Sequence, residues 1–180
     1  MPILPLRTRW PVRSRNLPPV TVSKIVRGLP AVALVGATVA GMPAAQADNR
    51  RLNESVAVNV YTIQHQADCQ TDLKINPQLQ LAAEWHTRDL LNNRALDGDI
   101  GSDGSTVQDR ANRAGFVGKV AETVAINPAL AISGIEIMNR WYYRPDYMAI
   151  MSNCANTQIG VWSENSLDRS VVVAVYGQPG

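Results

Sequence analysis

The chain has 180 residues, of which 46% are hydrophobic and 18% charged, enough for one compact domain and too little for two. Its apolar content excludes wholesale disorder. The formal charge of +2 joins two unlike parts: residues 1–47 hold six of the seventeen Lys and Arg and none of the fifteen Asp and Glu, so the remainder stands at −4. A domain of that sign lacks the footprint for nucleic acid or an anionic membrane, both of which are bound by clustered cations.

After the basic stretch Arg7 to Arg27 comes an apolar run over residues 31–41, then Met42-Pro-Ala-Ala-Gln-Ala47. Charged segment, short apolar segment and Ala-x-Ala site predict a signal peptide over 1–47, with a mature domain over 48–180 that is secreted or held at the cell envelope. The apolar run falls short of the roughly 18–20 residues that span a bilayer, so no transmembrane segment is expected. The long basic segment also allows a translation start further in, at Val20 or Val22. Export lets the chain's two cysteines, Cys69 and Cys154, pair in an oxidising compartment. The alternatives are a reactive thiol or a metal-ligand pair, but no Cys-x-x-Cys and no neighbouring His supports either.

In chain order, Leu52, Val56, Val60, Ile63 and Ala67 recur at helical spacing and predict a first helix over 51–67. Asn76-Pro77 is a helix start, and Leu79, Ala82, Ala83, His86 and Leu90 carry one apolar face to about Asn93. The Asp- and Gly-rich stretch 97–104 reads as turn, and Ser105-Thr-Val-Gln108 as a capping box opening a short helix through Ala114. Residues 116–125 include a strand. Asn127-Pro128 repeats the helix start for a fourth helix, marked by Leu130, Gly134, Met138 and Trp141 and broken at Pro145, with a further helical segment to Met151. Residues 157–162 and 170–176 are two strands of a hairpin. The class is α+β, helices packed on a small antiparallel sheet with one disulfide.

This order of features, with Leu81-Ala-Ala-Glu-Trp-His86, Gly101-Ser-Asp-Gly-Ser105 with Arg110, Ala121-Glu-Thr-Val-Ala125, Trp141 with Pro145, Gln158-Ile-Gly-Val161 and Ala174-Val-Tyr-Gly177, resembles the CAP superfamily. That superfamily comprises cysteine-rich secretory proteins, antigen 5 and plant pathogenesis-related proteins, and the likeness is to its small secreted bacterial members with an SCP-like extracellular domain. The resemblance implies an α-β-α sandwich with a cleft, which many members line with two His and two acidic residues able to hold a divalent metal. Carried onto this chain, the first His position falls on Asp99, the Glu on Glu122, the second acid on Arg144 and the second His on Tyr147. Three of these depart from the pattern, so neither a metal nor another cofactor is expected.

In place of a metal, Arg144 is expected to pair with Glu122 beside the Tyr147 hydroxyl, because a guanidinium fork suits a carboxylate. His86 is read as a core histidine hydrogen-bonded to backbone, and His65 as solvated at a helix end. Two histidines exclude a three-His zinc site, and no His-Glu-x-x-His or Gly-x-Ser-x-Gly motif is present. The acids Asp97, Asp99 and Asp103 resemble a calcium loop, but their spacing fails the EF-hand pattern and leaves only weak calcium binding open. Trp141, Tyr142 and Tyr143 are read as a candidate ligand rim. The function expected is a secreted binding module, with no catalytic residues, that takes a lipid or other small apolar ligand, or a protein partner, through the cleft. The alternative is a divergent metal-assisted hydrolase using Glu122.

Overall fold

The computed structural model describes residues 44–180, with side chains from residue 49. The leader predicted over 1–47 lies outside the described residues except for 44–47, which belong to the first helix. The elements in order are α1 (Ala44–Gln66), β1 (Lys74–Ile75), α2 (Pro77–Asn92), α3 (Val107–Arg113), β2 (Gly118–Asn127), α4 (Gly134–Tyr142), α5 (Pro145–Met151), β3 (Gln158–Asn165) and β4 (Ser170–Pro179). The strands form one sheet in the order β1-β3-β4-β2. Both β2 and β3 run antiparallel to β4, whereas β1 is parallel to β3. The sheet is therefore mixed, a correction to the all-antiparallel expectation.

Strand β4 explains the layering. Val171, Val173 and Val175 pack with Leu79, Leu90, Ala111 and Phe116 of the α2 and α3 layer. The alternate residues Val172, Ala174 and Tyr176 pack with Val56, Val60, Ile137, Trp141 and Met151 of α1, α4 and α5. A strand buried on both faces reads as a nearly continuous apolar run, which is how Ser170–Tyr176 reads. The result is the α-β-α sandwich, closed at one side by the Cys69–Cys154 disulfide.

Helix α2 rests on β3 backbone to backbone. A Cβ at Gly160 would lie 2.0 Å from the Gln80 nitrogen, so glycine alone permits this approach. The helix begins where Asn76-Pro77 predicts, the Asn76 side chain accepting from the Gln78 and Leu79 amides. Two other starts are corrected. The α3 capping box is Thr106 with Asp109, one residue on from Ser105 and Gln108, because the Ser105 carbonyl and hydroxyl accept from Arg110. Asn127-Pro128 opens no helix: Asn127 is paired with Ser170 at the end of β2, and α4 starts at the Ser133–Glu136 capping box.

Candidate functional site

Strand β2 carries Val120, Glu122, Val124 and Ile126 on the face turned to α2 and α3. A carboxyl on an otherwise apolar face needs partners, and two helices supply them. Arg110 of α3 donates from one nitrogen, Nη2, to both Glu122 oxygens at 3.1 and 3.2 Å. His86 of α2 places Nδ1 3.2 Å from Oε1. The three are 6%, 3% and 0% exposed for Glu122, Arg110 and His86. Arg110 is further fixed by the Ser105 and Asp99 carbonyls, both 2.8 Å away.

The imidazole makes no hydrogen bond through either ring nitrogen, so the backbone bond expected for His86 is absent. Burial, then the Arg110 charge, lowers its pKa from 6.5 to about 4 and keeps it neutral. Burial acts on Glu122 in the other direction, raising its pKa from 4.5 to about 8 against the opposing charge of Arg110. Asp89, at the outer end of α2, accepts from the amide and hydroxyl of Ser102 and from Asn93, pinning the Gly-rich turn to the helix.

The second constellation is open. Along the free edge of β2 lies a cleft of about 440 Å³ walled by Val124, Ala125, Ile126, Leu96 and Tyr147, with Trp141 among its lining residues. Four arginines, Arg94, Arg140, Arg144 and Arg169, and a single acid, Asp97, also line it. Arg140 donates to the Ile126 carbonyl and to Asn127 Oδ1, and Trp141 Nε1 donates to the Val124 carbonyl at 3.0 Å. These bonds cap outward-facing carbonyls of an edge strand and so protect it from pairing with another chain.

The four family-site positions are divided between the two constellations. Glu122 is buried in the first. Arg144 and Tyr147 line the second, the guanidinium 3.6 Å over the Tyr147 ring, and Arg144 pairs with Asp146 rather than with Glu122. The expected Arg144–Glu122 pair is thus corrected: Arg144 sits on the exposed side of the α4–α5 break, while Arg110 reaches Glu122 from the layer above it. Asp99 contributes its backbone carbonyl to Arg110, and its side chain is exposed. The aromatic trio also divides: Trp141 is 1% exposed and belongs to the core, while Tyr142 and Tyr143 are 52% and 80% exposed and line no part of the cleft.

This donor set does not fit a divalent metal. Of the four positions one is a guanidinium, and both oxygens of the single glutamate are occupied by Arg110. Among the described residues no three His, Cys, Asp or Glu side chains group as metal ligands. In the turn that resembles a calcium loop, Asp103 is used on the Ser105 amide.

Sequence reasoning missed Arg110 as the partner of Glu122 and missed Arg94, Arg140 and Arg169 altogether. For Arg110 a signal was present: a charged residue on a buried strand face demands a counter-ion. For the other three no local pattern exists, since they come from a loop, a helix and a hairpin.

No family model and no curated protein matches the chain. Solved structures do. An outer surface protein of Borrelia burgdorferi superposes with a TM-score of 0.64 at 17% identity, over 74% of this chain and 96% of that one. An extracellular protein containing an SCP domain from Bacillus anthracis superposes at 0.57 and 13% identity, over 77% of this chain and 45% of that one. The chain thus spans less than half of the Bacillus protein. The architecture is the CAP-like, SCP-type fold that the ordered sequence pieces suggest.

Proposed function

We propose that this chain is an extracellular binding module of CAP-like fold, which holds a small ligand in the cleft beside the free edge of β2 and performs no chemistry on it. The observation that carries this reading is the separation of cleft from carboxylate. Glu122, the acid on which the alternative hydrolase depends, has a side chain only 1% exposed and both oxygens engaged by Arg110. A general base must come within hydrogen-bond reach of the proton it removes. The open cleft offers hydrogen-bond donors and an apolar floor, which suit recognition.

Features expected of an exported protein support the same reading. The leader pattern, the Cys69–Cys154 disulfide and the similarity to an outer surface protein and an extracellular protein agree with a secreted or envelope-held domain, and among the described residues no helix is long and apolar enough to cross a membrane. Native mass spectrometry of protein recovered from culture fluid tests the proposal. A mass above that of the chain, lost on replacing Tyr147 and Arg140 at the cleft, is the expected result. A bound species insensitive to those replacements, or turnover of ester or peptide substrates abolished by Glu122→Gln, would count against it.

A further inference from the structure

Arg169 lies at the end of the β3–β4 hairpin and is 8% exposed. Its Nη1 and Nη2 donate to the carbonyls of Arg94 and Leu96 at 3.3 and 2.9 Å, and its Nε has no hydrogen-bond partner. No carboxylate pairs with it among the described residues. A guanidinium cannot shed its charge, so a buried one needs an anion close by. The buried Arg110 lies against the Glu122 carboxyl, 3.1 Å away; the buried Arg169 lines the cleft and makes no ion pair among the described residues.

The surrounding side chains leave that buried charge uncompensated. Arg94 and Arg144 bring charges neutralised by Asp168 and Asp146, both of which lie outside the lining. Arg140 donates once from each terminal nitrogen, to the Ile126 carbonyl and to Asn127, both neutral acceptors, and keeps further N–H groups free of those bonds. Asp97 is the one acid in the wall. A domain whose net charge is negative thus places four of its eleven cations around one concavity, two of them without an acid partner among the described residues, and low-dielectric walls focus their field. The net charge conceals this, since clustering and not the sum determines what anions experience.

We infer that the cleft lined by Arg94, Arg140, Arg144 and Arg169 is an anion site that takes the phosphate group of a small molecule, with Arg169 as its fixed cation. Phosphate is favoured over a single carboxylate because a dianion with three free oxygens satisfies several guanidinium forks at once. The volume of about 440 Å³ exceeds what one phosphate fills, and the Leu96, Val124 and Tyr147 surfaces receive the remainder of the ligand. This inference rests on the binding-module reading and gives it a ligand class. A free phosphate compound and a phospholipid headgroup share the chemistry.

The test uses the full-length chain and two probes: inorganic pyrophosphate by titration calorimetry, and co-sedimentation with vesicles of phosphatidylcholine and phosphatidylglycerol in equal parts, against phosphatidylcholine alone. Binding should fall roughly tenfold or more in Arg140→Gln and in Arg169→Gln, and stay unchanged in Arg88→Gln, which lies away from the cleft. Arg169→Gln risks the fold because it ties two carbonyls, so the exposed pair Arg140→Gln and Arg144→Gln carries the test if that variant is unstable. The basic leader is common to every variant, and the differences between them therefore isolate the cleft. Pyrophosphate binding that the variants weaken assigns a free phosphate compound; retention on the anionic vesicles alone, lost in the same variants, assigns a headgroup. Binding of neither probe, or binding unmoved by the arginine variants, overturns the inference. A neutral co-purified ligand sensitive to Tyr147 would then leave the binding module standing without its anion class.

Discussion

The two charge clusters of this domain share strand β2 and solve opposite problems. Around Glu122, an arginine, a histidine and a carboxyl are buried together: one guanidinium nitrogen reaches both oxygens, and burial keeps the imidazole neutral. Around Arg169, four arginines surround open space with one acid between them. Burial forces compensation inside the protein, because an unpaired charge there costs several kcal/mol. At the cleft three of the arginines are exposed and only Arg169 is buried, without an acid partner among the described residues, so this incomplete cluster is the one available to an anionic ligand.

The largest expected effect breaks the closed cluster. Glu122→Ala should destabilise by about 3–5 kcal/mol, because Arg110 stays buried and loses the acid that faces it. Urea unfolding of the two proteins measures this. Glu122→Gln, which keeps an acceptor of the same shape, should cost clearly less. An alanine variant of unchanged stability would mean that water reaches Arg110 and that the cluster is open after all.

A pH titration sharpens the contrast further, and its sign follows from the two pKa directions. His86 has a folded pKa of about 4 against 6.5, so the unfolded chain takes up that proton first and stability falls as pH drops between those values. Glu122, raised to about 8 from 4.5, contributes stability that is complete below 4.5 and is lost as pH rises through 8. Between 4.5 and 6.5 the two slopes oppose each other, and the native protein should show a near-flat profile there. Glu122→Gln removes one slope and should expose the other, losing roughly 3 kcal/mol as pH falls from 6.5 to 4. A flat profile in both proteins would show that His86 is not desolvated.

How much of this was legible beforehand follows the range of the interactions. The start of α2 is encoded in two adjacent residues, Asn76 and Pro77, and β4 in its run of valines; both are local, and both were read. Strand β1 is two residues long and exists only because Lys74 and Ile75 lie beside Gln158 and Ile159, which no local period announces. The Ser105 box failed because a residue distant in role, Arg110, claims its oxygens. At the site, Glu122 and the inward direction of His86 were readable from strand and helix phase, but their partner was not: nothing in one sequence says which of eleven cations in the mature region reaches a given strand. Arg144 was chosen by family position and is held instead by its neighbour Asp146, two residues away.

The open cluster should respond weakly in stability to changes that matter for binding. Arg144→Gln removes the stacking on Tyr147, worth about 0.5–1 kcal/mol at an exposed site, and a chemical denaturation curve should shift by no more than that. A loss as large as that of Glu122→Ala would mean that Arg144 supports the buried carboxyl, as the family positions had suggested.

The smallest effect is expected outside both clusters. Tyr142 and Tyr143 meet edge to face with ring centroids 5.5 Å apart, and both project from the end of α4 without lining the cleft. Exposed side chains that touch little else change stability by about 0.5 kcal/mol or less, so Tyr142→Ala and Tyr143→Ala should unfold at nearly the native denaturant concentration. Their binding behaviour is the more informative measurement. If the arginine cleft alone defines the ligand, pyrophosphate titrations of both variants should match the native protein, since neither ring lines the cleft. Weaker vesicle retention with unchanged pyrophosphate affinity would instead place an apolar tail on these rings, extend the ligand surface beyond the cleft, and assign the phosphate to a lipid headgroup.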